Sequence, residues 1–168
     1  TNPSKEARDF AETHQVHDLP TVIFLDSTGK EVLWKFSGPI PPEPYLYQMQ
    51  EILHFVTTRA QYKKNPEDLS VNLMLAIAYL GRKQLELAQP MIQRVLKADP
   101  DNKQGWAIQV FHFRAVAYVS EGNLKAAEKD SEKVRLWDKA GERLPGLYFQ
   151  IGFELGNRNQ FETAAVYF

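Results

Sequence analysis

Ala78-Tyr79-Leu80 returns 39 residues later as Ala117-Tyr118-Val119, and this pair of triplets decides the fold. Leu85 and Leu124 keep the same offset, as do Ala88 and Ala127. A third copy runs Tyr148, Ile151, Gly152, Leu155, Phe161, Ala164 and Phe168, with Ala164 falling 37 residues after Ala127. Self-similarity at a fixed period of a few tens of residues marks a repeat array, each copy a unit that buries its apolar face on its neighbour. Small residues let paired helices approach, and large ones fill the gap to the next copy. Residues 61–168 therefore read as helical repeats at about 69–102, 108–141 and 145–168, the last incomplete.

These positions resemble the tetratricopeptide repeat, a helix–turn–helix of about 34 residues. Leu75, Ala76, Tyr79, Ala88, Ile92, Val95 and Pro100 match in the first copy, and Ala115, Tyr118, Ala127 and Val134 in the second, with Ser131 weak at the aromatic position. The excess over that length implies about five and about three inserted residues between copies, in helices or loops. Pro90 falls inside the second helix of the first copy, so it either kinks that helix or marks a late start. The family register places Ser70, Leu73, Ile77 and Leu80 on the groove face of the first copy, Gln109, His112, Val116 and Val119 on the second, and Phe149, Phe153 and Asn157 on the third. This face is apolar. Either it takes an apolar peptide or helix of a client, or it is filled internally by the helix of residues 43–60.

Upstream the punctuation changes. Four of the ten prolines lie between Pro39 and Pro44, where neither helix nor ladder persists. Before them, Lys5–Gln15 places Ala7, Phe10 and Ala11 on one helical face. Val22-Ile23-Phe24-Leu25 is a continuous apolar run, the pattern of a strand buried on both faces. Asp26-Ser27-Thr28-Gly29-Lys30 supplies turn residues, and Val32–Phe36 a second strand, so the pair reads as an antiparallel hairpin. After the prolines, Glu43 to about Ala60 is helical, with Tyr45, Leu46, Met49, Ile52, Leu53 and Val56 as its apolar stripe.

Val16-His17-Asp18-Leu19-Pro20-Thr21-Val22-Ile23-Phe24-Leu25-Asp26, then Gly29-Lys30-Glu31-Val32 and Gly38, resembles the C-terminal half of a thioredoxin-like domain of the bacterial thiol–disulfide exchange type. The resemblance implies a cis Leu19–Pro20 bond, with Leu19, Pro20 and Thr21 forming the loop on which substrate backbone docks. An ordinary trans proline opening a strand is the alternative. It also implies that the redox half precedes Thr1, and the chain contains no cysteine to carry a thiolate step. A hairpin with one unpaired apolar edge is marginal alone and invites another chain. It is then covered by the helical half, paired in a homo-oligomer through that edge, or stranded by truncation, the reading favoured by the missing half and the absent initiator Met.

The expected fold class is α/β plus all-α: residues 1–60 a partial thioredoxin-like unit of helix, β-hairpin and helix, followed by an α-helical tetratricopeptide-like array over 61–168. Composition limits the function. The 168 residues carry 20 Lys+Arg against 21 Asp+Glu, which removes the basic excess that nucleic-acid binding requires. No run approaches the roughly 20 apolar residues of a membrane span, so no membrane insertion is expected. The absence of cysteine excludes disulfides, Cys-ligated zinc and thiol nucleophiles within these residues. His14-x-x-His17 has metal-ligand spacing but no third ligand close in sequence, so no metal site is expected. Nor does any motif nominate a catalytic residue or a cofactor.

The expected function is a protein–protein interaction module that binds or orients a protein or peptide client. The alternative is the substrate-docking fragment of a thiol–disulfide oxidoreductase whose C-x-x-C lies upstream, so that the enzyme would be the parent and not this chain. A redox-dead scaffold is the third reading. The resemblance favours the bacterial periplasm or the outer side of the membrane and leaves the cytoplasm open.

Overall fold

The structure, a computed structural model, describes residues 4–168; the first three residues of the expected thioredoxin-like unit lie outside the described residues. The chain divides into two compact units after Val56, where the sequence placed the division at residue 60.

In the first unit, helix α1 spans Lys5–Thr13, opened by Ser4, whose side chain accepts from Ala7 N at 3.2 Å. It stops short of the expected Gln15, which adopts a left-handed φ of 50°. No residue of α1 is buried, so the Ala7–Phe10–Ala11 face is not a core face. Strands β1 (Thr21–Leu25) and β2 (Val32–Ser37) pair antiparallel, with Thr21 opposite Ser37, Ile23 opposite Lys35, and a bulge between Phe24 and Leu25. Asp26 holds the turn: its carboxylate accepts from Lys30 N at 3.0 Å, Glu31 N at 3.1 Å and the Thr28 hydroxyl at 2.8 Å. Gly29, with φ of 71°, supplies the left-handed corner.

The expectation that β1 is buried on both faces is corrected, since all five of its residues are half-buried. Among the described residues the sheet has two strands, so β1 has one neighbour and limited cover. Part of that cover is Tyr45, whose ring meets Phe24 at 5.9 Å and Phe36 at 6.2 Å. Tyr45 belongs to α2, Pro42–Lys64, which is longer at both ends than the expected helix. Pro42 and Pro44 sit in its first turn, where a missing N–H costs nothing. Its apolar stripe is not one buried face: Ile52 and Phe55 are buried, whereas Leu46, Met49, Leu53 and Val56 are exposed.

The second unit is all helical. Its elements are α3 (Leu69–Gly81), α4 (Leu85–Ala98), α5 (Trp106–Glu121), α6 (Leu124–Trp137), α7 (Leu144–Asn157) and α8 (Phe161–Ala164), the last continued by a 3-10 turn over Ala165–Tyr167. The pairs α3/α4, α5/α6 and α7/α8 fall at the three stretches that the sequence reads as copies, about 69–102, 108–141 and 145–168. Ala88, Ala127 and Ala164, the small residues that set the period, are buried where the paired helices meet. Ser131, a poor match to an aromatic position, is buried as well, its hydroxyl donating to Ala127 O at 2.8 Å. Pro90 lies inside α4 and does not delay its start. Pro90 and Glu86, whose carbonyl loses its helical donor, are both exposed, so water can take the place of the missing bond.

The period extends to the backbone of the turns. Within each pair one residue is left-handed: Lys83 at φ 57°, Gly122 at 76° and Asn159 at 61°. The next amide returns to the first helix each time, Gln84 N to Tyr79 O, Asn123 N to Tyr118 O and Gln160 N to Leu155 O. Between copies, Asp99 accepts from Gln104 N at 3.1 Å, Trp106 N at 2.9 Å and Ala107 N at 3.3 Å. Asp138, 39 residues on, accepts from Glu142 N at 3.1 Å, Arg143 N at 3.0 Å and Leu144 N at 2.9 Å. The residues in excess of the usual repeat are thus organised by one carboxylate per joint, which also caps the next helix.

Burial pushes the Asp99 and Asp138 carboxyls up, but the backbone N–H donors outweigh it and hold both below the ordinary 3.8. For a carboxyl depressed on folding, the stabilisation is complete above its unfolded value and disappears as pH falls through the folded one. The unfolding free energy should therefore decline as pH drops below about 3.8. The Asp99→Asn, Asp138→Asn variant, less stable at neutral pH, should show a shallower decline in urea titrations; an equal slope would place the acid sensitivity elsewhere.

Candidate functional site

The first helices of the three pairs, α3, α5 and α7, pack in succession, and each carries some of the positions that the sequence assigned to a groove. Leu73, Leu80 and Val119 are buried, Ile77, Gln109, His112 and Val116 half-buried, and Ser70, Phe149, Phe153 and Asn157 exposed. Leu73 is core, available to no ligand.

Between α5 and α7 a cleft of about 300 Å³ is lined by Val116, Val119, Ser120, Phe149, Gln150, Phe153 and Glu154. It brings together four of the residues expected from the sequence: Val116, Val119, Phe149 and Phe153. Phe149 and Phe153 stand one turn apart, rings stacked at 6.3 Å and 19°, and are 57% and 58% exposed. Phe168 meets Phe149 edge-on at 5.8 Å. The lining has one charged residue, Glu154, and its Oε1 accepts from Arg158 Nε at 3.0 Å and pairs with Nη2 at 2.9 Å. The wall is therefore four aromatic or aliphatic residues beside the uncharged polar Ser120 and Gln150, with its one charge partnered. Such a surface gains from removing a partner's apolar side chains from water.

Leu73, Ile77, Gln109, His112 and Asn157 do not line this cleft. Gln109 turns its amide back on its own helix, donating from Nε2 to Gly105 O at 2.9 Å. His112 packs its ring edge-on against Phe113 at 5.2 Å, and its Nδ1 is buried without a hydrogen-bond partner among the described residues. Burial lowers the His112 pKa below 6.5, the charge of Arg143 adds to the effect, and Asp138 opposes it. Ser120, Gln150 and Glu154 were missed from the sequence. The signal was present, since Gln150 and Glu154 lie one position on from Phe149 and Phe153 along α7.

Leu19 is 88% exposed and Pro20 exposed, and the bond between them is cis. Thr21 closes the loop, its hydroxyl donating to Asp18 O and meeting Ser37 Oγ at 2.9 Å, while Gly38 N donates to Pro20 O at 2.7 Å. His14 ends α1 with its ring against Phe10 at 4.4 Å, and His17 is exposed. Among the described residues no group of three or more His, Cys, Asp or Glu could hold a metal ion. No helix among them is long and apolar enough to cross a membrane.

Comparison with known proteins gave one family. Curated proteins gave no match, and solved structures gave none. Residues 58–109 match the family described as Tetratricopeptide repeat, a span that contains the whole of α3 and α4 and the start of α5. Repeats of this kind mediate protein–protein interaction, and the matched segment is the one whose pattern α5/α6 and α7/α8 repeat.

Proposed function

We propose that the chain is a protein–protein interaction module whose repeat face receives an apolar segment of a protein client between α5 and α7. The observation that carries this reading is the exposed Phe149–Phe153 stack beside the Val116–Val119 wall, with its one charge already partnered. Burying one phenylalanine on binding is worth about 1.5–3 kcal/mol, roughly 10- to 100-fold in affinity. A random peptide library panned against the chain should yield peptides rich in aromatic and aliphatic residues. Phe153→Ser should weaken their binding at least about tenfold while leaving thermal melting unchanged, since the side chain is outside the core. Equal affinities for both proteins would exclude the cleft.

The second reading concerns the first unit. By the resemblance of Val16–Asp26 and Gly29–Gly38, it is a thioredoxin-like fragment whose exposed Leu19–Thr21 loop presents a client's backbone, with the repeats orienting that client. In this reading the thiol chemistry belongs to a C-x-x-C upstream of Thr1, which the coding sequence would reveal directly. A cysteine-free upstream segment would leave a binding scaffold.

A further inference from the structure

Arg158 directly follows α7, and its guanidinium bridges the ends of two helices. Nε and Nη2 meet Glu154 Oε1, one turn back on α7, at 3.0 Å and 2.9 Å, and Nη1 donates to Gly122 O, at the end of α5, at 3.1 Å. Gly122 holds the left-handed position that Lys83 and Asn159 hold in the other two copies, so this backbone accepts a side chain. What excludes one at Gly122 is Arg158, since a Cβ built there would fall on the guanidinium. At the joint between the first two copies, Glu121 stands in the place of Arg158 and Lys83 in that of Gly122. A carboxylate cannot donate to a carbonyl, so this bridge belongs to the joint of α5 and α7, the one that holds the cleft of Phe149 and Phe153.

We propose that Arg158 is a specificity-determining residue: by cancelling the Glu154 charge from its seat on Gly122, it restricts the cleft to uncharged, apolar segments. This rests on the reading of the cleft as the client site. Glu154 is the one charged residue of the lining, and its side chain is 30% exposed, so a segment entering the cleft takes water from it. An ionised carboxylate stripped of water without a partner opposes that entry. The guanidinium fork meets the carboxylate before the client arrives, and its third contact, on Gly122, keeps it from swinging into solvent. Without Arg158 the same carboxylate becomes an attraction for a Lys or Arg of the client. With it, a basic side chain finds a cation already in place and is turned away, which is selection by repulsion as much as by fit. The pair is partly exposed, so it contributes little to folding, and its weight falls on which client is accepted.

The probes are the tightest apolar peptide selected from the random library and its single-Lys variants, one for each position. Against the unaltered chain every Lys variant should bind more weakly than the parent peptide. Against Arg158→Leu the parent should weaken and at least one Lys variant gain, moving their affinity ratio at least about fivefold at low salt, the upper value for an exposed ion pair. Most of that change should disappear at about 1 M salt. Adding Glu154→Gln to Arg158→Leu should restore the original ratio, and Arg158→Lys should keep it, neither of which follows from a purely structural role. All variants should melt with the unaltered chain. A ratio unmoved by Arg158→Leu, or moved and not restored by Glu154→Gln, would overturn the proposal. Phe153→Ser tells its failure from that of the cleft reading. If Phe153→Ser weakens the parent peptide while Arg158→Leu leaves the ratio alone, the cleft stands and the role of Arg158 falls; if Phe153→Ser weakens nothing, both fall.

Discussion

Arg114→Leu is expected to lower the unfolding free energy by about 3–5 kcal/mol, the usual cost of stranding one member of a buried ion pair. Arg114 on α5 grips Asp130 on α6 with two bonds, Nε to Oδ2 at 2.6 Å and Nη2 to Oδ1 at 2.8 Å. Their side chains are 17% and 6% exposed, and the guanidinium also lies over the Phe111 ring at 5.1 Å. Burial draws the Arg114 pKa down, but the hydrogen bond and charge of Asp130 outweigh it and raise it above the ordinary value. Without the guanidinium, the Asp130 carboxylate is left charged in a low-dielectric joint. The repeat itself names the compensation. Position 114 corresponds to Leu75 in the first copy and position 130 to Met91, both buried and apolar. Arg114→Leu, Asp130→Met should therefore recover most of the loss in urea titrations. A single variant losing under about 1 kcal/mol would mean that the pair relaxes into water.

Ile151 occupies the same position in the third copy, 37 residues after Arg114, and is fully buried. It packs in one cluster with Ile108, Ala115, Val119, Val134, Leu147 and Leu155, which joins the second copy to the third. Ile151→Ala removes buried methyl and methylene groups and leaves a cavity, so about 3–4 kcal/mol should be lost. In a stacked array each copy contacts only its neighbours, so the loss should fall unevenly. Hydrogen exchange should show α7 and α8 losing protection first, while the amides of α3 and α4 keep theirs. Uniform loss across all six helices would mean that the array opens as one unit.

One residue position thus reads Leu, Arg, Ile across the copies, and this explains what the sequence did and did not reveal. The alanines at 88, 127 and 164 were legible because a close helix crossing admits little else. The hairpin was legible from its turn residues. The Arg114–Asp130 pair was not, since a charged pair sixteen residues apart gives no local pattern and departs from its own repeat. Asp99 and Asp138 shared the offset of Tyr79 and Tyr118, yet loop aspartates are common enough to pass unnoticed. The cleft was half legible: Phe149 and Phe153 followed from the register, while Leu73 went to the core because its fate depends on what packs over it. The same reason applies to β1 and α2. An apolar run states that a side chain would gain from cover, and only the surrounding chain decides whether cover is there.

The recurrence of Asp99 at Asp138 bears on how such a chain can lengthen. A segment from Pro100 to Asp138 begins just after one carboxylate and ends on the next. Copied in tandem at the level of the gene, it would insert a helical hairpin whose first turn is received by the aspartate already in place. It would bring its own aspartate for whatever follows. The joint travels with the duplicated piece, so the array can gain or shed a unit by recombination without devising a new junction.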